Sequence, residues 1–258
     1  MCTVTWHLTS AGYQLFFNRD ELRTRATAQP PTLAVRGTVR YLAPTDTAAG
    51  GTWLAVNELG TAVGLLNSHP PEPGRSHEVV SRGHLVRKLA SLRHAAQLAD
   101  ELAAVDLQRL EPFTLFALSP AAAPVIFEWD GIDLTPAPPT DTAMLASSSV
   151  GPVGSVDFAA VRRQLLTDYL VCSDDPARAH FEFHHSHRPE RGELSPCMHR
   201  ADAGTVSFSH VEVEESFVRF TYNSGPPCRE SRPLGTELQL VPEPAIDGRP
   251  ALSGTPVE

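Results

Sequence analysis

Residues 1–23 decide how the rest of the chain is read: Met1-Cys-Thr-Val-Thr-Trp-His-Leu-Thr-Ser-Ala-Gly-Tyr-Gln-Leu-Phe-Phe-Asn-Arg-Asp-Glu-Leu-Arg23. The run from Cys2 to Leu8 is rich in β-branched and aromatic residues, Ser10-Ala-Gly-Tyr13 supplies a turn, and Tyr13 to Phe17 returns as a second strand. This hairpin carries Asn18-Arg19-Asp20 back beside Cys2. Removal of Met1 would make Cys2 the N-terminal residue. Its new α-amino group, with an ordinary pKa of about 7.7 to 8.0, could then take the proton of its own thiol. Arg19 is expected to lower the thiol pKa, and Asp20 to hold the ammonium group. Taken alone, a cysteine near an N-terminus is a small hydrophobe and an Arg-Asp pair at a strand end is a salt bridge. Their coincidence one hairpin apart selects the reading of a nucleophilic site.

Composition narrows the remaining possibilities. With 258 residues, 41% of them hydrophobic and 20% charged, the chain can bury a large core. No midpoint linker divides it, so residues 1–232 are expected to form one domain and residues 233–258, rich in Pro and Gly, a tail. A net charge of -9 argues against nucleic acid as partner, because neutralising phosphates takes clustered Lys and Arg. There is neither a basic leader followed by an apolar run nor a stretch long enough to span a bilayer, and a cytoplasmic protein is expected. Four cysteines, at 2, 172, 197 and 228, lack any Cys-x-x-Cys spacing, so no disulfide framework and no metal site are expected. Oligomeric state is not legible.

Further along, Thr32–Arg36 and Thr38–Leu42 are short apolar runs between Pro and Gly, suited to edge strands. Trp53–Asn57 and Thr61–Leu66 form a second hairpin around Glu58-Leu-Gly60. Leu85, Leu89, Leu92, Leu98, Leu102 and Val105 recur at helical spacing, which predicts one or two helices over 81–105. Strands are predicted at Thr114–Leu118, Pro124–Trp129 and Ile132–Leu134, the last two joined at Asp130-Gly131. Residues 142–150 read as short and polar. Asp157 caps a helix with Phe158, Val161, Leu165 and Tyr169 on one face, and Gly204–Val213 and Phe217–Tyr222 close the set of strands. Antiparallel strands interrupted by helical blocks give an α+β class with two sheets covered by helices.

The motifs Met1-Cys2-Thr3, Asn18-Arg19-Asp20-Glu21, Gly50-Gly51-Thr52-Trp53-Leu54 and Ala203-Gly204-Thr205-Val206 together resemble the NRDE family, also called the transport and Golgi organisation protein 2 family, over most of residues 1–223. The N-terminal block is also similar to the cysteine branch of the N-terminal nucleophile hydrolases, the penicillin V acylases and bile salt hydrolases. That resemblance implies a four-layer αββα sandwich. It also implies a catalytic set of Cys2, Arg19, Asp20 and Asn67, the last at the end of Val63-Gly64-Leu65-Leu66-Asn67. In this scheme the Asn67 carboxamide helps form an oxyanion hole, a contribution worth roughly 2.7 to 4 kcal/mol. For substrate binding, Ser147-Ser148 stands where those hydrolases carry a second active-site asparagine and where NRDE proteins commonly show Ser-Asn. Arg200, in Met198-His199-Arg200, is the loose match to their late arginine.

His180, His184, His185, His187, His199 and His210 crowd one segment, together with Cys197. His180 and His184 at i, i+4 would share a helix face, and a His or Cys could ligate haem iron. The Pro, Arg and Glu around His185-Ser-His187 favour a solvated loop instead. Two functions follow. One is a cysteine hydrolase of a small non-peptide amide, requiring no cofactor. The alternative is a non-enzymatic protein that carries haem or another hydrophobic small molecule, as the association of some members of the resembled family with haem trafficking implies.

Overall fold

The computed structural model describes residues 2–68, 80–137, 143–147, 157–229 and 232–241. In chain order the strands are β1 (Thr3–Leu8), β2 (Tyr13–Leu22), β3 (Gln29–Arg36), β4 (Val39–Thr45), β5 (Leu54–Asn57) and β6 (Ala62–Asn67), followed by the helices α1 (Gly83–Leu89) and α2 (Leu98–Ala103). Then come β7 (Phe113–Leu118), β8 (Val125–Trp129), β9 (Leu134–Pro136), β10 (Met144–Ala146), α3 (Phe158–Val171), α4 (Pro176–His185), β11 (Ala203–Val213), β12 (Phe217–Ser224) and β13 (Leu234–Gln239). The strands form two antiparallel sheets, one ordered β10-β1-β2-β11-β12-β13 and the other β3 through β9 in sequence.

Three apolar clusters bind these elements into layers. Val4, Trp6, Leu15, Phe17 and Phe220 of the first sheet meet Leu42, Leu54, Leu66 and Phe116 of the second in the central cluster. The far side of the second sheet packs Val63, Leu65 and Leu115 against Leu85 and Leu89 of α1 and Leu98 and Leu102 of α2. The far side of the first sheet presents Met144 to Leu165 and Leu166 of α3 and Phe183 of α4. Each such side chain contributes about 1.5–3 kcal/mol when fully buried. The result is the α+β sandwich, with layers α, β, β and α, that the resemblance implies.

The order of contacts follows from the pleat, which sends successive side chains to opposite faces. In β1, Val4 and Trp6 face the other sheet while Thr3 and Thr5 face α3 and α4. The β1–β2 register sets Thr3 opposite Asn18 and Leu8 opposite Tyr13. In β2, therefore, Leu15, Phe17, Arg19 and Glu21 share the inner face, and Phe16, Asn18 and Asp20 the helical one.

Three segments differ from the sequence expectations. Residues 144–146 form β10, because Met144 fills a hole against α3 and the backbone pairs with the edge of β1, Thr3 opposite Ala146. The histidine segment begins as a helix, α4, rather than a loop. Asp175 caps it by accepting the N–H of Arg178 at 3.1 Å, with Pro176 in the first turn. His180 and His184 are buried because the sheet offers them partners. The Thr5 hydroxyl lies 2.9 Å from His180 Nδ1 and 3.0 Å from His184 Nε2, and Phe16 stacks on both rings. The stretch expected to be tail from 233 supplies β13, which pairs with β12 and buries Leu238. Among the described residues, no helix is long and apolar enough to cross a membrane.

Candidate active site

Cys2 sits at the mouth of the sandwich, half-buried against the central cluster. Its backbone is clasped by Ser147, which follows β10. The N–H of Cys2 donates to the Ser147 hydroxyl at 2.5 Å, and the Ser147 N–H donates to the Cys2 carbonyl at 2.9 Å. The Cys2 thiol lies 3.8 Å from the Asp20 carbonyl oxygen.

Arg19 emerges on the same face as Cys2. Its guanidinium lies over the Trp53 ring at 4.2 Å and contacts Glu21 at 3.2 Å and Asp46 at 3.6 Å. Trp53 is in place because of the Gly50-Gly51 pair before it. Gly50 turns the chain at φ +69°, and a Cβ on Gly51 would fall 2.7 Å from the Gly83 backbone. Bare backbone at 51 allows the Thr52 N–H to donate to the Gly83 carbonyl at 3.1 Å, which draws the start of α1 onto the cleft. Arg82 comes with it and donates to the Pro112 carbonyl at 2.6 Å. Asn67 ends β6, exposed, after five buried residues that hold the strand.

Cys2, Arg19, Trp53, Asn67, Arg82 and Glu111 line a single cleft of about 180 Å³. A larger hollow of about 900 Å³ lies around α3 and α4, lined by residues such as Tyr169, Cys172 and Arg188, but includes none of the residues around Cys2. Chemistry therefore points to the smaller space, where a thiol, guanidinium groups and an exposed carboxamide converge.

Asp20 occupies the opposite face of β2. Its carboxylate accepts from the Thr205 hydroxyl at 2.6 Å and stands 3.6 Å from the guanidinium of Arg162, both side chains fully buried. Arg162 also donates to the Thr3 hydroxyl at 2.5 Å and to the carbonyls of Glu193, Leu194 and Ser195. Burial raises the Asp20 carboxyl, and Arg162 and Thr205 pull it back. A bulge in β11 between Thr205 and Ser207 sits opposite Arg19 and Asp20, where it aims Thr205 at the carboxylate. Asn18, on the same face as Asp20, donates to the carbonyls of His184 and Pro196 at 2.9 and 2.8 Å.

The residues read from the sequence are thus distributed unequally. Cys2, Arg19 and Asn67 meet in the cleft, and Ser147 holds Cys2. Ser148 lies outside the described residues. Arg200 is not among the residues lining the cleft: it is exposed on a turn and pairs with Asp202 at 3.0 Å and Glu193 at 3.8 Å. The buried arginine behind Cys2 is Arg162. Its only sequence signal was a charge near the apolar face of a capped helix. Arg82 carried no signal. The expected depression of the Cys2 thiol is also reversed, because burial pushes it up and the carboxylates of Asp20 and Glu21 act in the same direction. Arg19 is spent on Glu21, Asp46 and Trp53.

Solved structures define the fold. The chain matches the C2A mutant of conjugated bile acid hydrolase from Clostridium perfringens with a TM-score of 0.60 at 11% identity, covering 92% of each chain. Penicillin V acylase from Agrobacterium tumefaciens gives 0.54 at 12%, covering 86% of this chain and 83% of that one. The Caenorhabditis elegans N-acylethanolamine-hydrolyzing acid amidase ortholog gives 0.56 at 11%, covering 83% and 93%. At such identities the likeness establishes the fold, that of the N-terminal nucleophile hydrolases. The model of the Transport and Golgi organisation 2 family matches residues 1–128, so the family resemblance carried by Cys2, Asn18–Glu21 and Gly50–Leu54 is borne out for the N-terminal half of the chain. No curated protein matches it in sequence.

Proposed function

We propose that the protein is an N-terminal cysteine hydrolase that cleaves the C–N bond of a small, non-peptide amide. The observation that carries this reading is the meeting of Cys2, Arg19 and Asn67 in one cleft, with the Cys2 nitrogen held on the Ser147 hydroxyl at 2.5 Å. The names of the structural neighbours, a hydrolase, an acylase and an amidase, support it.

Excision of Met1 turns the Cys2 nitrogen into an amine beside its own thiol. Burial raises the thiol, so the proposed cycle starts from the thiol and places deprotonation within the reaction itself. The amine takes the proton, and sulfur attacks the substrate carbonyl carbon. The Asn67 carboxamide N–H receives the developing oxyanion. As the tetrahedral species collapses, the C–N bond breaks and the ammonium returns its proton to the leaving nitrogen. The acyl group remains as a thioester, which water hydrolyses with the same amine as base, regenerating the thiol. Ser147 keeps the amine aimed throughout. Arg19, stacked on Trp53, keeps the cleft wall in place and offers positive charge to the substrate's acyl portion.

Two measurements test this. Intact mass should show Cys2 as the first residue. A panel of acyl amides should contain one whose hydrolysis is lost in Cys2→Ser while binding persists. Retention of Met1 in the purified protein, or amide release that survives Cys2→Ser, would overturn the proposal.

A further inference from the structure

Behind the Asp20 face, four side chains that the proposed hydrolysis does not use point at a common centre. His187 follows α4, Cys197 and His199 belong to the segment leading into β11, and Cys228 lies in the turn after β12. Their four ligand atoms all fall within 4.8 Å of one another. His187 Nε2 and His199 Nε2 are 3.2 Å apart, and His199 Nε2 is 3.5 Å from the Cys197 sulfur and 3.4 Å from the Cys228 sulfur.

Hydrogen bonding does not account for this packing. A ring nitrogen holds either one proton or one lone pair directed at it, so it satisfies one partner along one line, whereas His199 Nε2 faces three. A tetrahedral cation does account for it. Zinc holds sulfur at about 2.3 Å and imidazole nitrogen at about 2.0–2.1 Å, which sets tetrahedral edges of about 3.4 Å between nitrogens and about 3.6 Å between nitrogen and sulfur. The three distances from His199 Nε2 lie within about 0.2 Å of those edges, and the remaining pairs, all within 4.8 Å, would close onto them around the ion. Two thiolates and two imidazoles form a donor set suited to zinc, and four protein ligands complete a tetrahedron with no open position, the mark of a structural site.

We infer that His187, Cys197, His199 and Cys228 bind one Zn²⁺ per chain. Binding exchanges two thiol protons for the cation, which leaves the two thiolates and two neutral imidazoles as ligands. The consequence reaches the cleft. The segment closed by this clamp supplies the carbonyls of Glu193, Leu194 and Ser195 to Arg162 and that of Pro196 to Asn18. It also supplies the Met198 N–H to Thr205, the residue that donates to Asp20. Zinc would therefore tie two loops distant in sequence and fix the layer on which Cys2 and Arg19 rest. Its place outside the cleft makes it a positioning element.

The test uses the full chain, purified with reductant and without chelator. Elemental analysis and native mass spectrometry should find one zinc per chain, retained in Cys2→Ser and Cys172→Ser and reduced at least tenfold in the double variant Cys197→Ser/Cys228→Ser. Because that double variant could fail to fold, the wild type is also stripped of metal and titrated with Co²⁺. Tetrahedral d–d bands and thiolate charge-transfer bands saturating at one equivalent are expected, and added Zn²⁺ should abolish both. A wild type that is metal-free and takes up neither ion would overturn the site. So would zinc content unchanged in a folded double variant, or a Cys197–Cys228 disulfide in the reductant-treated protein.

Discussion

The Ser147 hydroxyl accepts the backbone N–H of Cys2 at 2.5 Å and sits 3.3 Å from the Cys2 carbonyl, so one side chain just past β10 brackets the Cys2 backbone. In the proposed mechanism that nitrogen is the proton carrier, and Ser147 fixes its direction. Ser147→Ala is expected to lower kcat about tenfold, the equivalent of one hydrogen bond near 1.4 kcal/mol, with little change in KM. Ser147→Thr, which keeps a hydroxyl, should recover most of the loss. Equal kcat in the alanine variant and the wild type would remove this role.

The Asp20–Arg162 pair predicts strong coupling. Both side chains are fully buried, and Arg162 spends its remaining donors on Thr3 and three loop carbonyls. Arg162→Met leaves the Asp20 carboxylate buried without its cation and should cost about 3–5 kcal/mol in urea unfolding. Adding Asp20→Asn should return part of that, giving a coupling energy of about 0.5–3 kcal/mol. Strict additivity of the two substitutions would show that the pair acts as two independent contacts.

Sequence periodicity made the two N-terminal hairpins, the leucine helices and the Asp157-capped helix legible, because each follows from local patterning and turn chemistry. Cys2, Arg19 and Asn67 were found by motif, and the pleat explains why Cys2 and Arg19 share a face. The same alternation turns Asp20 toward the opposite layer. The burial of Arg162, His180 and His184 is not legible for a different reason. Their burial depends on Thr3, Thr5 and Phe16, distant in sequence, which supply the hydrogen bonds and ring faces that make a buried cation or imidazole tolerable. Partners of that kind have no local signature. Nor do Cys197 and Cys228, whose approach depends on where β11 and β12 end.

Gly51 and Gly37 separate close approach from backbone freedom. A Cβ at 51 meets the Gly83 backbone at 2.7 Å, whereas Gly37, with φ +61°, has nothing within 4 Å. Gly51→Ala should destabilise by about 1–3 kcal/mol through overpacking and should disturb the cleft by moving α1. Gly37→Ala should cost only the left-handed backbone, roughly 1 kcal/mol, and leave activity untouched. Thermal melts with parallel assays test both. A milder effect at 51 than at 37 would mean that α1 shifts freely.

Acid should loosen the α4 layer first. Burial holds His180 down at about 4 from its ordinary 6.5, and His184 well below 6.5, because Thr5 and Phe16 leave no room for hydration. In the unfolded chain both rings protonate near 6.5, so between about pH 6.5 and 4 the unfolded state binds more protons. Their contribution is complete above pH 6.5 and is lost as pH falls toward 4, at about 1.4 kcal/mol per pH unit for each ring and about 3 kcal/mol in all for His180. Asp20 acts with the opposite sign, since its raised carboxyl gains protons in the folded state first. Comparing slopes in one pair of proteins cancels that effect. His180→Gln has no ring to titrate, so its unfolding free energy should fall less steeply on acidification than that of the wild type, by about 1.4 kcal/mol per pH unit. Urea unfolding at several pH values across this window gives both slopes. Parallel lines would mean that the His180 ring is already protonated, or hydrated, in the folded protein.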